Sequence, residues 1–235
     1  MIPISDDNPA GLTPVLTWGI ILACVAAYVW EVSLGRQMDA ALLVFGFTPA
    51  SLFAGFVPVA GIGRVPAGLT IFTSMFLHGS VLHIAGNMLY LWIFGNNVED
   101  AMGHFRFFFF YLVCGVAAAL TLGFIDPASH VPMVGASGAI SGVLAAYVLL
   151  FPRARVTVIV PLGIIFYPFR ISAVWVVGFW FVLQLLSAAA TKADQPGVAW
   201  WAHVGGFAAG AILTPFLKSS DFPLFGPVRR KGPWG

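Results

Sequence analysis

The chain has 235 residues, of which 60% are apolar and only 9% are charged, and it carries a net charge of +2. A soluble domain has about a quarter charged residues, so the charges here are too few to cover a water-exposed surface. The near-neutral balance also argues against a nucleic-acid-binding protein, which concentrates basic charge on one face. The composition therefore predicts a polytopic membrane protein.

Six segments have, or nearly have, the length and apolar character needed to cross a bilayer, which takes about 20 residues for a ~30 Å hydrocarbon core. In chain order they are 15–32, 82–97, 105–125, 134–151, 171–190 and 198–217. None alternates with the period of two that barrel strands show, so we expect helices. The sequence thus predicts an all-α membrane protein with a six-helix domain over 15–217, an N-terminal tail (1–14) and a C-terminal tail (218–235).

Two connections, 35–70 and 152–169, are unusually apolar for loops. Prolines and glycines interrupt the first one, and Pro161 and Pro168 interrupt the second. We expect both to form short pieces in the membrane interface. A poorly formed additional span is the alternative for the second connection.

The basic residues predict the orientation, because cytoplasmic loops carry an excess of Lys and Arg. If the N-terminus is inside, the inner basic residues are Arg106, Arg153, Arg155, Arg170, Lys218, Arg229, Arg230 and Lys231. The outer ones are then Arg36, Arg64 and Lys192. This distribution predicts that both termini are cytoplasmic.

Four polar side chains lie inside the predicted spans, where such groups are costly and mark candidate functional sites. They are His83 and Asn87 in the second span, Ser137 in the fourth and His203 in the sixth. Counted from the inner end of each span, their depths are about 24, 18, 21 and 22 Å at 1.5 Å per residue. Three helices therefore place these groups in one layer, roughly 6–12 Å below the outer face of the hydrocarbon core.

Two pairs of glycines with a spacing of four accompany the polar residues: Gly138 with Gly142, and Gly206 with Gly210. Such spacing allows two helix backbones to approach closely. His203 shares a helix face with the second pair. Contact between the fourth and sixth spans would therefore bring His203 within reach of Ser137.

A serine becomes a nucleophile when a base takes its proton, and histidine is the commonest base. Acyl transfer also needs hydrogen-bond donors for the developing oxyanion, and His83 and Asn87 share one face of the second span. No carboxylate lies in the same layer, so we expect a Ser–His dyad. Ser141 is a rival nucleophile one turn deeper, and each polar group taken alone could instead serve helix packing.

These residues resemble the rhomboid family of intramembrane serine proteases. The matching stretches are FLHGSVLHIAGNM (76–88), GNNVEDAMG (95–103), GASG (135–138) and AHVGG (202–206). Their order and their positions on the second, fourth and sixth spans also match the family. The resemblance implies a six-helix rhomboid-like bundle with a large interfacial first loop.

The resemblance also implies a role for each candidate residue. Ser137 would be the nucleophile, His203 the general base, and His83 and Asn87 the oxyanion donors. The family cleaves single-pass membrane proteins near the outer end of their transmembrane helix, and it uses no metal or cofactor. In this family the fifth span is thought to act as a lateral gate. We therefore expect a multi-pass protease of the cell inner (plasma) membrane.

The sequence departs from the family pattern at two places. Leu69 and Thr70 stand where rhomboids often carry a Trp-Arg pair in the first loop, which leaves the anchoring of that loop open. Ser141 stands where an aromatic residue often stacks on the catalytic histidine, so His203 must be held otherwise. The alternatives are an inactive relative that binds membrane clients and a small transporter, although the inverted repeats of transporters are not found.

Overall fold

A computed structural model describes residues 2–57, 65–162, 165–190 and 199–226. Several residues used in the sequence predictions lie outside these ranges: Arg64, Lys192, Val198, Arg229, Arg230 and Lys231. Within the described ranges the chain is mostly helical, as predicted.

Each of the six predicted spans corresponds to a helix. They are α1 (Val15–Ser33), α5 (Val81–Tyr90), α7 (His104–Ile125), α8 (Ser137–Leu150), α9 (Ala173–Ala190) and α10 (Trp200–Leu217). A π-helical turn, Leu91–Gly95, extends α5 into α6 (Asn96–Met102). In the described part of the chain, α1, α7 and α9 are long and apolar enough to cross a membrane.

The first connection contains a 3₁₀ turn (Gly35–Gln37) and the short helices α2 (Met38–Phe45), α3 (Pro49–Phe53) and α4 (Ala67–Thr73). Backbone hydrogen bonds tie it to the segment that leads into α8. Phe47 and Met133 exchange two of them, at 3.0 and 2.7 Å, and the N–H of Gly135 donates to the carbonyl of Ser74 at 2.8 Å. The hydroxyl of Thr70, at a position of the missing Trp-Arg pair, donates to the carbonyl of Ala67 in its own turn. Main-chain hydrogen bonds and the packing of Phe47 therefore anchor the loop.

The prediction of an all-α chain is wrong in one respect, because the second connection forms a β-hairpin. Strands β2 (Arg155–Leu162) and β3 (Ile165–Ser172) pair antiparallel, and β1 (Ile2–Asp6) pairs with the other edge of β2. The run from Val156 to Val160 consists of β-branched residues, which favour a strand. Its burial alternates, with Val156 and Val158 fully buried, but the almost uniform apolar character of the segment hides this period. Pro168 fits because β3 is an edge strand of the described sheet.

Strand β1 is fixed to the bundle through a buried polar contact. The hydroxyl of Tyr147, on α8, donates to the carboxylate of Asp6. Burial raises the pKa of the Asp6 carboxyl from 3.8 to about 6, because removal from water disfavours its charged form. The N-terminal tail is therefore a structured part of the fold from Ile2 onward.

The described ends of the chain lie at the same end of the bundle. There β1 pairs with β2, which follows α8 directly. After α10, the N–H of Ser219 donates to the carbonyl of Ala101 and the N–H of Phe225 to that of Leu149, both at 2.7 Å. Residues before α1, between α6 and α7, after α8 and after α10 thus share one end.

Glu99 joins three helices at this end. Its fully buried carboxylate accepts hydrogen bonds from the backbone N–H groups of Leu16 and Thr17, at 3.0 and 2.8 Å, and from the Thr17 hydroxyl at 2.7 Å. The Nδ1 atom of His104 lies 2.6 Å from it. A carboxylate at a helix N-terminus satisfies N–H groups that have no intrahelical partner. Glu99 therefore connects α6 to the starts of α1 and α7.

Helix α8 lies at the centre of the bundle, and every residue from Gly138 to Tyr147 is buried. It contacts α10 backbone to backbone, as the glycine spacing predicted. A Cβ atom added at Gly206 would overlap the carbonyl oxygen of Gly138, and one added at Gly210 would overlap that of Gly142. The distance between the two helices is thus set by the absence of side chains.

Gly210→Ala is expected to destabilise the protein, because the new methyl group meets backbone atoms that cannot rotate away. Overpacking of this kind costs about 1–3 kcal/mol, so the thermal unfolding temperature in detergent should fall. Gly178→Ala on α9 is the matched control, since an added Cβ there meets nothing within 4 Å, and alanine favours the helix. An equal unfolding temperature for the two variants would contradict this account of the helix contact.

Candidate active site

A cavity of about 780 Å³ lies between α5, α8, α9 and α10 and the segment that precedes α8. All four predicted site residues line it: His83, Asn87, Ser137 and His203. The layer of polar groups inferred from helix depths is therefore one continuous cavity wall in three dimensions.

Ser137 and His203 are in direct contact. The Oγ atom of Ser137 lies 2.8 Å from Nε2 of His203. Ser137 is the first residue of α8, so its backbone N–H has no carbonyl partner within the helix. His203 lies one turn before Gly206, where α10 touches α8 most closely. The glycine contact thus sets the separation of the two side chains.

His83 and Asn87 face this pair from α5. The helix begins after Ser80, whose hydroxyl accepts the N–H of His83 at 3.2 Å, a typical N-cap. Asn87 is 8% exposed, and its side-chain Nδ2 has no hydrogen-bond partner among the described residues. A buried amide donor without a partner is unfavourable unless a ligand or water satisfies it. Asn87 therefore presents a free donor to the cavity.

Gly135 allows this close approach. Its φ angle is +120°, a conformation that residues with a side chain rarely adopt. A Cβ atom at this position would lie 2.7 Å from Nε2 of His83 and 3.5 Å from Nδ2 of Asn87. The backbone just before Ser137 thus runs directly beside the two α5 side chains.

Gln184 is a site residue that the sequence prediction missed. Its Oε1 atom lies 2.7 Å from Nδ1 of His203, on the opposite side of the ring from Ser137. Gln184 is the one amide side chain in α9, whose other residues are apolar apart from Ser187. Because polar groups inside spans are functional candidates, this isolated glutamine was a usable signal. A third partner need not be a carboxylate, because an amide oxygen also accepts a hydrogen bond.

Two tryptophans hold the imidazole of His203 in place of the aromatic residue missing at position 141. The ring centroids of Trp180 and Trp200 lie 6.0 and 6.1 Å from that of His203. Ser141 is fully buried, and its hydroxyl donates to the carbonyl of Ser137 at 2.6 Å. This contact within α8 supports a packing role for Ser141. Among the described residues, no three His, Cys, Asp or Glu side chains form a metal-binding group.

The chain is similar to known rhomboid proteins. A family model described as the rhomboid domain matches residues 67–220. The rhomboid protease GlpG of Klebsiella pneumoniae is 26% identical over 199 residues, which cover 84% of this chain and 61% of that protein. Shorter matches are the mitochondrial rhomboid protein 1 of Saccharomyces cerevisiae, at 33% identity over 100 residues (41% of this chain, 29% of that protein), and the chloroplastic rhomboid-like protein 11 of Arabidopsis thaliana, at 39% over 85 residues (36% and 30%).

The GlpG protein is thus matched along about three fifths of its length, and the family model spans the helices that carry all four predicted site residues and Gln184. On this evidence the chain is a membrane protein that belongs to the rhomboid family.

Proposed function

We propose that this protein is an intramembrane serine endopeptidase with Ser137 as nucleophile and His203 as general base. The observation that carries the proposal is the 2.8 Å contact between Ser137 Oγ and His203 Nε2 at the wall of a cavity inside a helical membrane protein. A nucleophile and a base within hydrogen-bond reach form the minimal unit of covalent acyl transfer. The likeness to the rhomboid protease GlpG supports the same reaction class.

The arrangement supplies a role for each group in peptide hydrolysis. His203 Nε2 takes the hydroxyl proton of Ser137 as Oγ attacks the substrate carbonyl carbon, and the carbonyl oxygen becomes an oxyanion. Asn87 Nδ2, His83 and the backbone N–H of Ser137 then stabilise that charge. The protonated His203 returns its proton to the leaving amine, which leaves an acyl-enzyme. A water molecule hydrolyses the acyl-enzyme by the reverse sequence of proton transfers.

The depth of the site suggests the class of substrate. Ser137 lies in a cavity between apolar helices, so a peptide bond reaches it from a membrane-embedded segment. Such a segment keeps its carbonyl groups in helical hydrogen bonds and must unwind locally before attack. We therefore propose single-pass membrane proteins as substrates, cleaved within or near the transmembrane helix.

The proposed topology has six spans with both termini in the cytoplasm, in the cell inner membrane. Two observations support it. The described chain ends share one end of the bundle, as an even number of crossings requires. In the sequence, that end also holds the larger share of Arg and Lys.

Ser137→Ala and His203→Ala should each lower cleavage of a fluorescent single-pass substrate in liposomes by at least about a thousandfold, because members of a catalytic unit act together. A fluorophosphonate probe should label the wild type and not Ser137→Ala. Ser141→Ala, one turn away, is the control and should stay within a few-fold of the wild type. Cleavage by Ser137→Ala would refute the nucleophile assignment. A folded wild type that neither cleaves nor labels would favour the inactive, client-binding alternative.

Asn87→Ala should lower kcat by about 10²- to 10³-fold with little change in KM, since an oxyanion donor acts mainly in the transition state. The contact between Ser137 and His203 does not involve Asn87, so the variant should remain folded. Ala85→Ser, on the exposed side of the same helix, controls for general effects on α5. A rise in KM alone would show that Asn87 contributes only to substrate binding.

The topology is tested by fusing reporters to each terminus of the full chain in bacterial cells. With both termini cytoplasmic, a green fluorescent protein should fluoresce at either end. Alkaline phosphatase, which needs export to fold, should be inactive at both ends. Phosphatase activity at one terminus alone would rule out an even number of spans, and activity at both would reverse the orientation.

A further inference from the structure

We propose that Gln184 is a positioning residue that selects the reactive tautomer of His203, so that the site works as a Ser–His–Gln triad. The inference rests on the proposed function and extends it to a residue on α9. Three groups lie next to one another in space: the hydroxyl of Ser137, the imidazole of His203 and the carboxamide oxygen of Gln184. The two contacts measure 2.8 and 2.7 Å and lie on opposite nitrogens of the same ring.

The role follows from the valence of a neutral imidazole, in which one nitrogen donates and the other accepts. The carboxamide oxygen of Gln184 can only accept, so the Nδ1–H group donates to it. Nε2 is then the unprotonated nitrogen, and it faces the Ser137 hydroxyl. A proton on Nε2 would instead point at Ser137 and prevent His203 from acting as its base.

Burial strengthens this preference. His203 is 7% exposed and Gln184 is 5% exposed, so water is not a ready substitute for the Nδ1 partner. An unpaired donor in such surroundings is unfavourable because it has lost its hydrogen bonds to water, and loss of Gln184 would leave Nδ1 in that state. The imidazole would then rotate or exchange its tautomer, and either change removes the base from Ser137.

Among the described residues that line the cavity, Gln184 is the one that accepts a hydrogen bond from Nδ1 of His203. The other titratable side chains that line the cavity are His83 and Tyr90 on α5 and Asp126 after α7, and none of them has a hydrogen bond to His203 among the described contacts. Trp180 and Trp200 contact the ring by its faces and edges. They can fix its plane, but they do not distinguish the two nitrogens by accepting a proton.

The direct test is the tautomer of His203, read by ¹⁵N NMR of the full chain labelled at histidine, in detergent above pH 7. His203→Gln assigns the signal, because it removes one of the five histidines. We expect a protonated Nδ1 and an unprotonated Nε2 in the wild type, and loss of this single pattern in Gln184→Leu. An Nε2–H tautomer in the wild type, or an unchanged pattern in Gln184→Leu, would overturn the proposal. This readout does not depend on proteolysis.

The kinetic test compares Gln184→Leu, which fills the space without an acceptor, with Gln184→Glu, which keeps one. Gln184→Leu should lower kcat by at least about tenfold with KM little changed, as expected for impaired general-base catalysis. Gln184→Glu should recover most of the activity. A carboxylate favours the protonated imidazole, so the acidic limb of its pH–rate profile should move to higher pH.

Leu186→Ala, at an exposed position of the same helix, controls for disturbance of α9. If Gln184→Leu is poorly folded, the pH–rate profile of Gln184→Glu still tests whether Gln184 positions His203. An unshifted profile would overturn that role. Equal losses in both Gln184 variants with unshifted profiles would show a packing role only. If the wild type is inactive but His203 has the expected tautomer, the proposed function is refuted, while the role of Gln184 in setting that tautomer stands.

Discussion

The close contact between α8 and α10 determines where the candidate site residues lie relative to one another. Glycines at positions 138 and 142 face glycines at 206 and 210, so the helices meet through their backbones. Van der Waals contact of this kind is a main source of helix association in lipid, where the hydrophobic effect between helices is weak. Ser137 and His203 lie next to this contact, near the N-terminal ends of α8 and α10. The proposed chemistry therefore uses a distance fixed by main-chain atoms.

Two of the buried polar clusters are stabilised because their members hydrogen-bond to one another. Glu99 accepts from two backbone N–H groups and a hydroxyl, and lies within hydrogen-bond distance of His104. His203 has a partner on each ring nitrogen. Asn87, which lines the cavity, keeps a buried donor without a partner among the described residues. An unsatisfied donor beside an otherwise satisfied cluster is what a site prepared for a developing oxyanion requires.

The sequence predicted those features that follow a short-range rule. Hydropathy located all six helices, and the spacing of four between glycines predicted the α8–α10 contact. The β-hairpin and the role of Gln184 were not predicted from the sequence, because neither produces a regular spacing of residue types along the chain. The hairpin at 155–172 is apolar on both faces, so its alternation shows in burial and not in composition. Gln184 contacts His203 from another helix, so its polarity in a largely apolar segment marks a candidate residue but does not identify its partner.

The sheet imposes an order on assembly. Strand β1 lies far from its partner in the chain, because β2 begins at Arg155, after α8. Closing so large a loop is entropically costly and slow compared with helix formation. Strand β1 therefore has no partner until α8 and the hairpin that follows it have been synthesised. Docking of Asp6 against Tyr147 then couples the pairing of β1 to the position of α8.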